Sequence, residues 1–269
     1  MTEADPLERL REVLAPLRRA AVAVSGGVDS LTLAAVAHAA LGDAARMHHA
    51  TSPAVPREAT ERTTALAQAR GWALDVFDAG EFADPRYRAN PVNRCFFCKI
   101  NLYAAIARRS EATILSGTNL DDLGEYRPGL DAAREHGVRH PFVEAGIDKA
   151  AVRRLAARLG LGEIAALPAS PCLSSRIETG LAIDPTALAM IERAERLLRA
   201  ALAPRTVRCR VRAGGVVVEL DAETLARLDE ATAATLRARI LRLADAPNRH
   251  LPVSFAPYRN GSAFLRAGA

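Results

Sequence analysis

Ala21-Val22-Ala23-Val24-Ser25-Gly26-Gly27-Val28-Asp29-Ser30, followed by a nearly unbroken apolar run from Leu31 to Leu41, is the stretch that decides the fold. Four small apolar residues read as a short strand, the glycine pair as a tight turn, and the long apolar run as a helix buried on all sides. A strand that turns through glycines into a buried helix is the opening of a parallel βα unit. The pattern repeats downstream. Arg46 to Thr51 reads as a second strand, Arg57 to Arg70 as a helix stopped by Gly71, and Trp72 to Phe77 as a third strand. Past Pro85 and Pro91, a helix from about Arg94 to Arg109 leads to a fourth strand at Thr113 to Ser116, which ends in Gly117-Thr118. Upstream, Pro6 after Asp5 opens an amphipathic helix with Leu7, Leu10, Val13, Leu14 and Leu17 on one face.

The stretch 119–146 is polar, rich in Gly and Pro, and longer than a connection needs, which marks a functional loop. A helix from Asp148 to Leu159 follows, then an irregular stretch carrying Pro168, Pro171, Cys172, Gly180 and Pro185. A boundary near residue 180 therefore separates a parallel-sheet domain (1–180) from a smaller α+β module (181–269) for substrate binding or oligomerisation. That module reads as a helix (Thr186 to Leu202), a strand (Thr206 to Arg212), a turn at Gly214-Gly215, a strand (Val216 to Leu220) and a helix (Ala222 to Leu243). The expected class is α/β, a parallel sheet flanked by helices, with a small α+β carboxy-terminal domain.

Composition agrees. The 269 residues are 49% hydrophobic and only 4% aromatic, enough for a real core but poor material for a β-sandwich. Disorder and collagen-like architectures are excluded. No apolar run reaches the roughly 18 to 20 residues of a membrane helix, and the first 20 residues do not read as a signal peptide, so a soluble, cytoplasmic protein is expected. Four cysteines are too few for a disulfide scaffold in a chain this long. The net charge of +5 suits a phosphate or RNA ligand, but many arginines fall on helix faces that they simply solvate.

Backbone amides freed by consecutive glycines at a helix N-terminus make an anion site. Ser25 to Ser30 supplies one. It lacks the lysine of the GxxxxGK(S/T) loop and the spacing of GxGxxG, which disfavours a Walker-type NTPase and a dinucleotide oxidoreductase. Its two serines can donate to phosphate oxygens, and Asp29 can hold Mg2+. The plainer alternative is a βα turn that merely needs glycine.

Cys95 and Cys98 sit where a loop becomes a helix, in Asn93-Arg94-Cys95-Phe96-Phe97-Cys98-Lys99. An i, i+3 pair on a first helical turn shares one face, and the positive end of the helix favours thiolate ligands. Cys172 lies in Ala169-Ser170-Pro171-Cys172-Leu173-Ser174-Ser175-Arg176, a loop where backbone amides and an arginine can meet an anion. Cys209 alternates with Arg208 and Arg210 and reads as a small core residue. Period two places Arg208, Arg210 and Arg212 on one sheet face, either as a bidentate phosphate site or as a solvated edge. His48 and His49 read as packing or hydrogen-bonding groups and Trp72 as core.

Ser25 to Ser30 resembles the pyrophosphatase loop of the PP-loop ATPases, which cleave ATP between its α and β phosphates and adenylate an acceptor. That likeness implies a fold of the adenine nucleotide alpha hydrolase kind. It also implies that Ser25, Gly26, Gly27, Asp29 and Ser30 cradle pyrophosphate while Gly117 and Thr118 line the nucleotide site. The cysteine stretches, together with Gly117-Thr118-Asn119-Leu120-Asp121-Asp122-Leu123-Gly124-Glu125-Tyr126-Arg127-Pro128-Gly129-Leu130, resemble the LarE family over most of residues 20 to 220. These are ATP-dependent sulfur transferases of nickel-pincer nucleotide synthesis, the cofactor of lactate racemase. The resemblance implies adenylation of pyridinium-3,5-biscarboxylic acid mononucleotide and conversion of its carboxylates to thiocarboxylates. In one branch the residue matching Cys172 surrenders its own sulfur and becomes dehydroalanine. In the other, three cysteines hold a 4Fe–4S cluster whose open iron carries an extra sulfide.

With Cys95, Cys98 and Cys172 the chain resembles the cluster branch. A zinc site made by the same thiols with His136 or His140, and sacrificial chemistry at Cys172, remain the other readings. The family likeness further implies that Arg208 and Arg210, joined by Arg176, bind the substrate phosphate, and that Glu219 pairs with them or binds a divalent metal. Expected partners are the pyridinium substrate, sulfide or a sulfur donor, a downstream nickel-insertion protein and further copies of the chain. No membrane is expected, nor nucleic acid, because no RNA-binding module is recognisable. The competing functions are a tRNA thiolation enzyme and a nucleotide-binding regulator with a structural zinc.

Overall fold

In the computed structural model, residues 5–124, 128–168, 171–243 and 251–265 are described. In chain order the elements are α1 (Pro6–Leu14), β1 (Ala20–Ala23), α2 (Val28–Leu41), β2 (Ala45–Thr51), α3 (Arg57–Arg70), β3 (Leu74–Asp78), α4 (Pro85–Arg88), α5 (Arg94–Ala107) and β4 (Thr113–Leu115). There follow α6 (Gly129–Glu135), α7 (Pro141–Glu144), α8 (Lys149–Arg158), α9 (Pro185–Leu202), β5 (Val207–Arg212), β6 (Gly215–Leu220), α10 (Ala222–Ala226), α11 (Glu230–Leu243) and β7 (Val253–Pro257). Two compact units result: Met1–Asp84 with Asn93–Ser170, and Pro85–Val92 with Pro171–Ala269.

The first unit is a parallel sheet in the order β3-β2-β1-β4. The central strand β1 is buried throughout, as a doubly covered parallel sheet requires, while the edge strand β3 leaves Val76 exposed. Ala20 and Val22 of β1 pack with Leu10, Leu14, Leu31, Val36 and Val152, while Ala21 and Ala23 pack with Tyr103, Ile106 and Ile114. Helix α2 is buried along nearly its whole length because its sequence has no polar face. Local signals set the helix ends. Asp5 accepts from Leu7 N and Asp148 from Ala151 N, and Gly71 ends α3 at φ +67°. The strand order reverses between β1 and β4, the place where open α/β sheets bind ligands.

The second unit holds a three-stranded sheet, β5-β6-β7, with β5 and β6 antiparallel and β7 parallel to β6. Helix α9 is capped by Asp184, begins at Pro185, and buries Leu188, Ile191 and Leu198. Short chain from the middle of the sequence joins this unit. Asn90 Nδ2 donates to the carbonyls of Glu178 (2.8 Å) and Leu181 (2.9 Å), and Tyr87 Oη lies 2.7 Å from Ser174 Oγ.

The fold class is thus the expected one, and several details differ. The single helix expected over 222–243 is two, α10 and α11, because Asp229 caps Thr232 and starts a new helix. The third strand begins at Leu74, leaving Trp72 buried just before it. The long polar stretch 119–146 contains two short helices, α6 and α7, and Arg139 extends the sheet beside Leu115. No helix of the described residues is long and apolar enough to cross a membrane.

Candidate functional site

Val28 starts α2 directly after the glycine pair, with no side chain capping the helix, so its first backbone N–H groups are left for a ligand. Gly26 holds φ +79°, and a Cβ there would lie 2.6 Å from the Ala59 carbonyl oxygen. Only glycine makes that turn. Ser30 Oγ accepts from Ser25 N at 3.0 Å and lies 3.2 Å from Ser25 Oγ, so the two serines close the loop across its mouth. Arg62 of α3 ties the turn from behind, donating to the Gly26 carbonyl at 2.6 Å.

The loop after β4 meets this turn. A Cβ on Gly117 would stand 2.8 Å from Ser30 N, so the two backbones approach as closely as glycine permits. Asn119 then donates through Nδ2 to Asp29 Oδ1 at 3.1 Å, and Lys149, first residue of α8, puts Nζ 2.5 Å from Asp29 Oδ2. Asp122 accepts from Asn119 N, and Asp121 accepts from Lys149 N. Thr118 Oγ1 lies 3.0 Å from Ser116 Oγ, which in turn lies 2.8 Å from His140 Nδ1. Below the sheet end, His49 bridges the Val24 carbonyl and Thr60 Oγ1, both at 2.9 Å, and burial pulls its pKa below the ordinary imidazole value. Ser25, Gly26, Gly27, Asp29, Ser30, Gly117 and Thr118 thus gather at one end of the sheet. An oxygen site of one carboxylate beside a place for phosphate suits Mg2+, which keeps several waters and few protein ligands.

The thiols are divided. Cys95 and Cys98 are half-buried on the first turn of α5 in the first unit, whereas Cys172 is exposed in the second. Among the described residues, no three His, Cys, Asp or Glu side chains are gathered into a set that could hold a metal ion. The expected cluster or zinc ligands are therefore a pair plus a single thiol, and His140 is engaged with Ser116 instead. Cys209 is fully buried, its thiol pKa pushed up by burial, with its N–H on Glu195 Oε1 at 3.1 Å.

In the second unit, Arg176 is 1% exposed and forms a two-pronged pair with Glu195 (2.9 and 3.2 Å). Its Nη1 donates to the carbonyls of Pro171 (2.6 Å) and Cys172 (3.1 Å), so the guanidinium shapes the loop that presents Cys172. Arg210 is also buried. It pairs with Glu219 at 2.8 Å and donates to the carbonyls of Ser175 and Arg259, which removes it from any solvated face. Glu219 accepts from Arg210, Arg212 and Ser262. Burial alone would raise its pKa, but the Ser262 and Arg210 hydrogen bonds hold the carboxyl below its ordinary range. Glu219 thus pairs with Arg210 and Arg212. Arg208 lies 5.9 Å from the Tyr258 ring centre, its pKa lowered by burial and then by the neighbouring Arg176.

No family model matches the chain. It is 43% identical over 197 residues to an uncharacterized protein of Synechocystis sp., covering 72% of this chain and 73% of that protein. It is 32% identical over 202 residues to the pyridinium-3,5-bisthiocarboxylic acid mononucleotide synthase of Lactiplantibacillus plantarum, covering 73% of this chain and 72% of the relative. The chain belongs to the LarE-like family of PP-loop proteins. A third relative, an uncharacterized protein of Methanocaldococcus jannaschii, is 32% identical over 114 residues, 41% of this chain and 44% of its own length.

Within this LarE-like frame, sequence reasoning missed Lys149, Asn119 and Arg62 as parts of the turn. Lys149 is 120 positions from Asp29 and occupies the first turn of a helix that otherwise reads as ordinary. The Asx pattern of Asn119-Leu120-Asp121-Asp122 was the available signal for Asn119. Glu125, Tyr126, Arg127, Ala169 and Ser170, quoted for the resemblance, lie outside the described residues.

Proposed function

We propose that the protein is an ATP-dependent sulfur transferase that adenylates a carboxylate of pyridinium-3,5-biscarboxylic acid mononucleotide and replaces its oxygen by sulfur. The observation that carries this reading is the glycine turn at the α2 N-terminus, closed by Gly117, with Asp29 held at its rim by Asn119 and Lys149. Such a site favours ATP bound through its phosphates, and the similarity to the Lactiplantibacillus pyridinium-3,5-bisthiocarboxylic acid mononucleotide synthase supports the pyridinium nucleotide as acceptor. The carboxylate oxygen displaces pyrophosphate from the α-phosphorus of ATP, and a sulfur nucleophile then displaces AMP. Ser25, Ser30 and the first amides of α2 bind the leaving pyrophosphate, and Asp29 holds Mg2+. Arg208 is the arginine proposed for the substrate phosphate, since Arg176 and Arg210 are buried and paired with Glu195 and Glu219. Among the described residues, Cys95 and Cys98 are not gathered with Cys172 into a set that could hold a metal, so the sulfur nucleophile of this reading is sulfide supplied from outside the chain.

A second reading of the sulfur source rests on the exposure of Cys172. In that reading the Cys172 thiolate displaces AMP to form a thioester, and loss of the Cys172 Cα proton then breaks the Cβ–S bond, leaving dehydroalanine and the thiocarboxylate. Both share the first step, which is tested by pyrophosphate release from ATP. Release is expected to require the pyridinium biscarboxylate and to vanish in Asp29→Asn without loss of the thermal midpoint. Release without any acid, or none with it, overturns the proposal.

A further inference from the structure

His140 closes a line of three polar side chains that ends in the loop after β4. Thr118 Oγ1 lies 3.0 Å from Ser116 Oγ, and Ser116 Oγ lies 2.8 Å from His140 Nδ1. The backbone fixes that line. Arg139 N–H donates to the Ile114 carbonyl at 2.9 Å and Ser116 N–H to the Arg139 carbonyl at 3.0 Å, which sets the residue after Arg139 beside Ser116. Gly117, between the two hydroxyl residues, is the point where this loop comes closest to Ser30 of the glycine turn. We propose that His140 is a positioning residue for the nucleotide: as the Nδ1–H tautomer it donates to Ser116, Ser116 donates to Thr118, and the Thr118 hydroxyl is left to donate to a phosphate oxygen. The inference rests on the ATP reading above and adds a residue to it.

A hydroxyl carries one proton, so the line has a polarity. With Nδ1 bare, Ser116 must donate to His140 and accept from Thr118, and Thr118 then offers a ligand only lone pairs. With the proton on Nδ1, both donations reverse and the Thr118 O–H is free to point outward. The remaining arrangement, in which Ser116 accepts from both sides, leaves the Ser116 proton without an acceptor among the described residues, at a position 7% exposed. A phosphate oxygen has lone pairs alone and needs a donor, so the phosphate chain of a nucleotide selects the outward polarity. Burial holds the His140 pKa below its ordinary value, aided by Lys99 and opposed by Glu144 and Asp122. The ring is therefore neutral near pH 7.5 and carries a single N–H, whose place is decided by the hydrogen bond at the other end of the line.

The first test is nitrogen-15 NMR of the His140 ring in the full-length wild type, assigned through its own Cβ, with ATP and Mg2+ bound. Nδ1 is expected to resonate in the protonated range, and a bare Nδ1 in the bound protein overturns the proposal. Calorimetric titration with ATP and Mg2+ then compares variants. His140→Leu is expected to weaken ATP binding about threefold to tenfold, while His140→Asn, whose amide N–H can donate to Ser116, stays within about twofold of wild type. In a Thr118→Val background, His140→Leu is expected to cost nothing further, because the hydroxyl it positions is gone. An undiminished loss in that background, or equal losses for Leu and Asn, makes His140 a support for the fold alone and overturns the proposal. The ring measurement on wild type decides the matter where a variant does not fold. A wild type that does not bind ATP overturns the ATP reading itself and this inference with it. A wild type that binds ATP with Nδ1 bare, or a His140→Leu protein that binds it equally well, sinks this inference alone.

Discussion

Gly26 and Gly27 are adjacent and alike in the sequence, yet the structure asks different things of them. Gly26 lies in the left-handed region and faces the Ala59 carbonyl, whereas a Cβ on Gly27 would meet only Ser25 Oγ, at 3.6 Å. Gly26→Ala is therefore expected to destabilise the protein by about 2–3 kcal/mol, from positive-φ strain plus the forced shift of α3. Gly27→Ala should cost no more than about 1 kcal/mol, since it changes only a helix cap. Urea denaturation of the two variants checks the contrast, and equal losses would contradict it. The glycines, serines and aspartate of this turn were legible in the sequence because they are consecutive and their chemistry is local. Lys149 was not, because nothing near it in the chain announces an aspartate 120 residues away.

At the scale of elements, α9 is joined to β5 and to the Cys172 loop by one buried pair. Glu195 accepts from Arg176, from Cys209 N and from Arg199. Removing one partner of a buried pair leaves an uncompensated charge, so Glu195→Leu is expected to cost about 3–5 kcal/mol. Arg176→Met combined with Glu195→Leu should recover much of that loss, and urea denaturation of singles and double gives the coupling. A double variant as unstable as the sum of the singles would mean that the pair does not act as a unit. The period-two pattern correctly put Arg208, Arg210 and Arg212 on alternate positions of a strand. What it could not give was the partner, because Glu219 faces Arg208 across a strand pair whose register is set by the hairpin turn. Strand β7 escaped the sequence reading for a related reason. It pairs parallel to β6 and contributes only five residues, with neither a hairpin turn nor a long apolar run to mark it.

For the molecule as a whole, burial of ionisable groups sets the pH range in which it is stable. His48, His49 and His140 all have pKa values lowered from 6.5, in each case first by burial. The unfolded chain takes up these protons as pH drops below about 6.5 and the folded chain resists, so stability falls from there downward. Each histidine contributes at most about 1.4 kcal/mol per pH unit between the two pKa values. Glu81 acts with the opposite sign: burial raises its pKa above 4.5, so the folded state holds its proton more firmly and regains stability as pH falls. Urea midpoints at pH 7.5 and 5.5 are expected to show the histidine loss, and a flat profile would contradict it. The parallel sheet with helices on both faces was readable from alternating strand and helix signals, since each depends on residues close in sequence. The grouping of Pro85–Val92 with the carboxy-terminal unit was not, because it rests on Asn90 and Tyr87 reaching residues about 90 positions downstream. The central claim is ATP-driven sulfur insertion. Its most direct test is anaerobic incubation of the purified protein with ATP, Mg2+, the pyridinium biscarboxylate mononucleotide and sulfide, with the organic product read by mass spectrometry. One thiocarboxylate for each AMP and pyrophosphate formed is the predicted result. AMP and pyrophosphate formed with no sulfur in the product, or no ATP cleavage at all, would contradict the account.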